Sequence, residues 1–424
     1  MATPLVHRSL RDNVLNLRLV KLHPATDATD TLKLDVEEHT RASAPPYEAL
    51  SYAWGTEDAG GSVSISNQTV AVSETVETAL RHLRLESVPR WLWIDQLCIN
   101  QADDAEKSHQ VGQMHLIYAE AIQALAWLGP GNDEVGFLFH KIRETVKLLA
   151  QNDLETLEKI YQPTNDEGAN ILDRVMRAFD DLCARSYWAR VWIVQEFTVA
   201  RHVVIVCGKH SIDANKITRL FLRTLLPGPR FPGDGLDDGQ TESVEQLQLR
   251  RKAANANIAA GSPSGFLRGH IHDVYMYQTL RSGHVQWLLL HRYAWWRSHV
   301  EIGGPVEVET RVRGHESLLN VMDMSQVPWA GYCFRGATDD RDRVFAMLNL
   351  ALDKEQFSEF PDYSISAAHT YYLVARRCLE LGHHKLLAYN QFPKRMDSLP
   401  SWVPDWSGPN AKPMLWQIAR SARD

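Results

Sequence analysis

The chain has 424 residues, a net charge of −7 and 44% hydrophobic residues, so two or three domains of roughly 150 residues each are expected. No apolar run approaches the ~18 residues of a spanning helix, and the acidic balance offers no basic stripe to displace phosphate counterions; neither a membrane span nor a nucleic-acid partner is expected. Thirteen tryptophans equal the thirteen tyrosines and outnumber the twelve phenylalanines, an excess that needs an address in the fold.

From the N-terminus, Arg8, Arg11, Asp12 and Asn13 interrupt any continuous apolar segment of the signal-peptide kind. Leu15, Leu17 and Leu19, then Leu32, Leu34 and Val36, alternate at period two and predict a β-hairpin over residues 1–46, placed ahead of the main domain. Ala49–Trp54 predicts a short strand ending at Gly55. Val63/Ile65 and Val70/Val72 predict a second hairpin about Asn67-Gln68, and Val76, Ala79, Leu80 and Leu83 a helix. Trp91–Asp95 reads as a buried strand running into a polar loop. Val111, Met114, Ile117, Tyr118 and Ala121 mark a helix, and Ala124–Leu128 another strand closed by Gly129-Pro130-Gly131.

Helical sequence continues over 134–160, breaks at Gln162–Gly168 and resumes at Ile171. The spacing predicts one helix from Trp188 to Ala200, then a strand over His202–Cys207. Strand and helix alternation predicts a doubly wound, mostly parallel α/β sheet, with the domain taken as residues 47–210. Residues 211–424 are expected to be mainly helical, with an irregular Gly/Pro-rich stretch near 227–265.

Ligands in such a sheet bind beyond the carboxyl ends of the strands, and three segments there carry unusual polar and aromatic loads: Tyr47–Gly55, Leu92–Gln101 and Trp188–Glu196. Trp188, Trp192 and Glu196, spaced i, i+4, i+8, with Gln195, share one face of the predicted helix. A carboxylate beside indoles in a dry pocket has a raised pKa or an unscreened charge, which suits stabilising a cation or binding vicinal hydroxyls. Against this stands a plain ion pair of Glu196 with Arg185 or Arg190 over core indoles. Asp95, Asn100 and Gln101 are ligand candidates or helix-capping groups, and Asp103 with Glu106 fits a capping box. Tyr52 and Trp54 point to the same side of their strand, as a ring-stacking pair or as core, and Gly55 permits close backbone approach.

Five widely spaced cysteines with no C-x-x-C pair indicate reduced thiols and a cytoplasmic protein. Cys98 is a nucleophile only with a base such as His109, and otherwise a small buried hydrophobe. Walker, G-x-G-x-x-G, H-E-x-x-H and G-x-S-x-G motifs are all absent, His383-His384 stand isolated, and no residue is assigned to a metal. Arg341 and Asp342 read as a charged pair that docks the C-terminal half. Trp402 and Trp406, flanking Pro404, read as structural anchors.

In these segments the chain resembles the fungal heterokaryon-incompatibility (HET) domain family. The resemblance rests on Y-E-A-L-S-Y-A-W-G (47–55), L-W-I-D-Q-L-C-I-N-Q (92–101) and R-V-W-I-V-Q-E (190–196), and extends to D-D-R-D-R (339–343) and L-P-S-W-V-P-D-W-S (399–407). It implies a part in fungal non-self recognition and programmed cell death, with self-association or other incompatibility proteins as partners. HET domains have been likened in turn to TIR domains, of flavodoxin-like fold. Ser51-Tyr52 takes the place of the TIR first-strand Ser-Tyr, and Trp192–Glu196 looks like the TIR W-C-x-x-E helix with Ile193 in place of Cys. That comparison implies Glu196 as the catalytic carboxylate of an NAD glycohydrolase, with NAD as substrate and no bound cofactor. Ser51, Tyr52, Trp54, Gly55, Asp95, Asn100, Gln101, Trp192 and Gln195 would then line the substrate site. The alternative implied is a non-enzymatic, self-associating signalling module.

Overall fold

The computed structural model describes residues 5–11, 16–54, 60–151, 153–161, 168–225, scattered positions between 285 and 322, 335–390 and 392–408. Gly55 and the stretch near 227–265 lie outside the described residues. The fold is α/β on a mixed β-sheet, with nine strands among the described residues. The chain divides into two compact units, one of residues 1–125, 189–201 and 306–424, the other of residues 126–188 and 202–305.

In the first unit β1 (Asn16–Leu22) and β2 (Lys33–Thr40) form the expected antiparallel hairpin. β1 is also bonded antiparallel to β6 (Arg90–Trp93), so the hairpin is built into the sheet. The order runs β5-β4-β2-β1-β6-β3, where β3 is Glu48–Tyr52, β4 Gly61–Ile65 and β5 Gln68–Val72. The β4–β5 turn places Ser66 and Asn67 at φ 51° and 62°, the left-handed pair that a tight two-residue hairpin needs. Parallel pairing is confined here to β2–β4 and β3–β6, correcting the mostly parallel sheet expected from the sequence. The short links within β1–β2 and β4–β5 allow only antiparallel neighbours, the parallel β3–β6 pair is spanned by a hairpin and helix α1 (Glu74–Leu83), and β1 lies between β2 and β6, antiparallel to both.

The side chain of Ser73 caps α1 by accepting from the Val76 amide. After β6 the chain makes one turn of helix, α2 (Asp95–Cys98), and then α3 (Asp104–Glu120). Asp103 caps α3, its Oδ1 accepting from the amides of Ala105 at 3.0 Å and Glu106 at 3.1 Å. Glu106 does not complete the capping box. It is buried, accepting two bonds from Arg18 at 2.5 and 3.0 Å and one from the Asn100 amide at 2.8 Å. The Asp103 amide, which a capping box would offer to Glu106, instead donates to the Asn100 carbonyl at 3.2 Å, and the buried guanidinium takes the carboxylate because the ion pair offsets the desolvation of both charges. Strand β7 (Gln123–Trp127) follows α3.

The second unit holds α4 (Asp133–Ala150), α5 (Leu154–Tyr161), α6 (Gly168–Cys183), the antiparallel hairpin β8 (Val203–Cys207) with β9 (His210–Asp213), and α8 (Ala214–Leu225). Back in the first unit are α7 (Ile193–Val199), then α9 (Asp342–Leu348) and α10 (Ala367–Glu380). Trp406 is buried edge-on against Tyr371, ring centroids 5.1 Å apart, and Trp402 meets Tyr372 at 5.7 Å, so both act as anchors in this region. Among the described residues no helix is long and apolar enough to cross a membrane.

Candidate functional site

The helix expected from Trp188 to Ala200 is interrupted. Residues Ser186–Ala189 form a 3-10 turn, Arg190 leaves the helical path, and α7 begins only at Ile193. Arg190 is drawn out by a bridge to Gly336, in which the Val191 amide donates to the Gly336 carbonyl at 3.0 Å and the Gly336 amide to Ala189 at 2.5 Å. Trp188, Trp192 and Glu196 therefore do not form one stripe. Trp188 is buried in the second unit, donating to the Leu182 carbonyl at 2.8 Å, and takes no part in the site.

Every residue of α7 is buried, including Gln195, Glu196 and Thr198, and a helix buried all round must find a partner for each polar group. Glu196, 1% exposed, accepts a short hydrogen bond from the hydroxyl of Ser51, on the buried central strand β3. Tyr118, on α3, places its hydroxyl in reach of Glu196 and of the Leu50 carbonyl at 3.0 Å. Tyr52 leaves β3 in the direction opposite to Ser51 and donates its hydroxyl to Asp95 Oδ1 at 2.7 Å. Trp54 Nε1 donates to Asp95 Oδ2 at 2.7 Å, and the Gln96 amide to Oδ1 at 2.7 Å. The Arg190 guanidinium donates to the Tyr52 carbonyl, and its charge acts on both Glu196 and Asp95.

Burial is the largest influence on Glu196 and raises its pKa to about 7, with Arg190 and the Ser51 hydroxyl opposing, Asp95 adding to the rise, and the Tyr118 bond opposing. A carboxyl whose folded pKa lies above its unfolded value binds its proton more tightly in the folded protein. Its contribution to stability is therefore complete below about pH 4.5 and is lost as the pH rises to about 7. Glu196→Gln abolishes this titration. The variant should gain stability relative to the parent between pH 5 and pH 8, by about 3 kcal/mol at most, read from urea midpoints at the two pH values. A pH-independent difference would show that Glu196 does not titrate in this range.

The other expected residues are placed as follows. Gln101 donates from Nε2 to the Asp95 carbonyl at 3.2 Å, bracing the turn that carries Asp95. Asn100 folds its own loop, its Oδ1 accepting from the Ala102 amide at 3.2 Å, and does not reach the carboxyl cluster. Trp192 donates to Asp342, and Gln195 Oε1 accepts from Asn349 at 3.3 Å. Cys98 is buried and its thiol is pushed up to about 12 by burial, so it is no nucleophile. Arg185 serves the second unit, donating to the Leu128 carbonyl at 2.9 Å, which leaves Arg190 as the cation beside Glu196. Arg341 pairs with Asp339 at 2.6 Å instead of Asp342, and donates to the carbonyls of Tyr363 and Ile365 at 2.6 and 2.7 Å.

Tyr118, Asp342 and Asn349 are site residues that sequence reasoning missed. Tyr118 was legible only as one apolar position in the α3 pattern, and no spacing rule links 342 or 349 to a helix near 195.

Residues 47–196, from the strand bearing Ser51 through Glu196, match the family described as "Heterokaryon incompatibility protein (HET)". The chain carries a HET domain. It is 27% identical to Heterokaryon incompatibility protein 6, OR allele, of Neurospora crassa, in an alignment covering 95% of this chain. The chain spans 59% of that relative's length. No solved structure is significantly similar to the chain. The match ends at Glu196, so the HET domain takes in Ser51, Asp95, Tyr118, Arg190 and Glu196, whereas Asp342 and Asn349 lie beyond it.

Proposed function

We propose that this chain is an effector of fungal non-self recognition that promotes cell death, and that its HET domain hydrolyses NAD at the nicotinamide–ribose bond through Glu196. One observation carries the reading. The three sequence segments of the HET domain converge on a carboxyl poised near neutrality, with Ser51 bonded to it and Arg190 beside it. A purely structural ion pair would hold the acid low; here burial outweighs the guanidinium, an arrangement that disfavours the charged fold and is typical of working acids.

The chemistry asked of Glu196 is limited. The nicotinamide ring of NAD is already cationic, so the bond breaks with its electron pair passing to the ring nitrogen and needs no general acid. The carboxylate stabilises the oxocarbenium-like ribose and takes hydrogen bonds from its hydroxyls. Water adds to the same carbon and gives its proton to solvent, yielding nicotinamide and ADP-ribose. Trp54, 38% exposed over Asp95, offers an indole face for a planar ring. The likeness of Ser51-Tyr52 and Trp192–Glu196 to TIR motifs supports the same assignment.

The test is nicotinamide release from NAD by the purified full chain, alone and assembled, against Glu196→Gln. The expected result is a loss of at least about a hundredfold in the variant, the range for removing one charge-stabilising group, with the melting temperature no lower than that of the parent. Equal rates, or no turnover by the parent in either state, would overturn the enzymatic reading. A second reading is favoured by the enclosure of Glu196, which is 1% exposed. It makes the HET domain a self-associating signalling module with the polar cluster as its core. In that case Glu196→Gln changes self-association, and neither the parent nor the variant consumes NAD.

A further inference from the structure

The HET match stops at Glu196, yet the residues flanking Glu196 are held by a segment more than a hundred positions later in the chain. Gly336 draws Arg190 out of the helical path through a pair of backbone hydrogen bonds. Asp342, at the start of α9, accepts from Trp192 and from the Tyr363 hydroxyl at 2.5 Å. Asn349, just past the end of α9, donates to Gln195 Oε1 at 3.3 Å and to the Gly112 carbonyl at 3.3 Å. Gln195 is fully buried, and among the described residues its Nε2 has no hydrogen-bond partner and its Oε1 accepts from Asn349.

The same segment grips α3, which carries Tyr118. The Tyr363 amide donates to Ser108 Oγ at 2.9 Å, and Lys107 lies 4.1 Å over the Tyr363 ring. Pro361 packs on Gly112, where an added Cβ would meet it at 3.3 Å. α9 buries Val344, Phe345, Ala346 and Met347, and it packs against α7. The element is thus anchored by apolar packing, and its polar groups at both ends are spent on the neighbours of Glu196.

We propose that Asp342 and Asn349 are positioning residues of the Glu196 site. By holding Trp192 and Gln195 they fix the turn of α7 that presents Glu196 to Ser51 and Arg190. The inference rests on Glu196 being the working carboxyl of the site, as proposed above. The working unit then comprises the matched domain together with residues 336–363.

Hydrogen exchange of the full-length chain tests this separately from catalysis. In Asp342→Ala and Asn349→Ala, amides of 190–197 should exchange at least about tenfold faster, while those of β1 and β6 keep their protection and the melting temperature moves little. Asp342→Asn, which retains a carbonyl oxygen for the Trp192 indole, should restore most of the protection. Where the parent turns over NAD, the alanine variants should lose rate about tenfold and the asparagine variant should recover it. Unchanged protection at 190–197 overturns the proposal. So does a uniform rise across the whole unit without rescue by asparagine, which marks a merely structural role. A parent without NAD turnover defeats the enzymatic reading alone, and the exchange pattern still decides whether the segment positions α7.

Discussion

Arg18→Met should destabilise the protein by about 3–5 kcal/mol, a large share of the total stability expected of a single cooperative unit. Arg18 lies on β1, is almost wholly buried, and spends its guanidinium on Glu106, on the Cys98 carbonyl at 2.9 Å and on the Arg8 carbonyl at 2.6 Å. Removing it leaves the Glu106 carboxylate buried opposite a thioether, with the Asn100 amide still donating to it. Glu106→Gln should cost less, because a neutral amide tolerates burial and still accepts from Arg18. The double variant Arg18→Met/Glu106→Leu should recover much of the single-site loss, since replacing a buried pair by apolar side chains is often neutral. Urea denaturation of the parent, Arg18→Met, Glu106→Leu and Arg18→Met/Glu106→Leu as a double-mutant cycle gives the coupling directly. Additive losses would mean that the pair contributes nothing beyond its separate packing.

Asp95→Ala is the second large effect, about 2–4 kcal/mol. Its two oxygens serve the Tyr52 hydroxyl, the Trp54 indole and the Gln96 amide, and without them a buried phenol and the first turn of α2 lose their acceptor. Asp95→Asn should recover part of this, since a single amide oxygen cannot serve donors on both sides. Trp54→Phe should cost under about 1 kcal/mol, because Trp54 is 38% exposed and water can take the place of its indole as donor to Asp95 Oδ2. The ranking Asp95 far above Trp54 in melting temperature identifies Asp95 as the hub of the cluster. Equal losses would instead make the indole the principal support.

The residues of the candidate site differ in how far the sequence reveals them. Ser51, Tyr52, Trp54, Asp95 and Glu196 stand out because they crowd the ends of recognisable strands and one short helix, in the places ligands occupy in α/β sheets. Asn100 stands in the same loop by sequence, but its amide side chain closes a local turn. The tryptophan excess resolves in the same uneven way. Trp54 and Trp192 donate to Asp95 and Asp342, whereas Trp93, Trp127 and Trp188 are fully buried core. Composition cannot separate these roles, since an indole is both a large apolar body and a single donor.

By itself the sequence determines the local elements. Period-two alternation sets the β1–β2 and β4–β5 hairpins, helical spacing sets α1 and α3, and Asp103 marks where α3 begins. These are governed by residues a few positions apart, whose side chains meet through backbone geometry alone. Tertiary structure decides everything that depends on distant partners. The mixed direction of the sheet follows from β1 lying between β2 and β6. The break at Arg190 follows from Gly336, and the diversion of Glu106 from its helix cap follows from Arg18. In each case a long-range bond in a dry interior outweighs a local preference, because a buried polar group without a partner costs more than helical spacing or a capping pattern supplies.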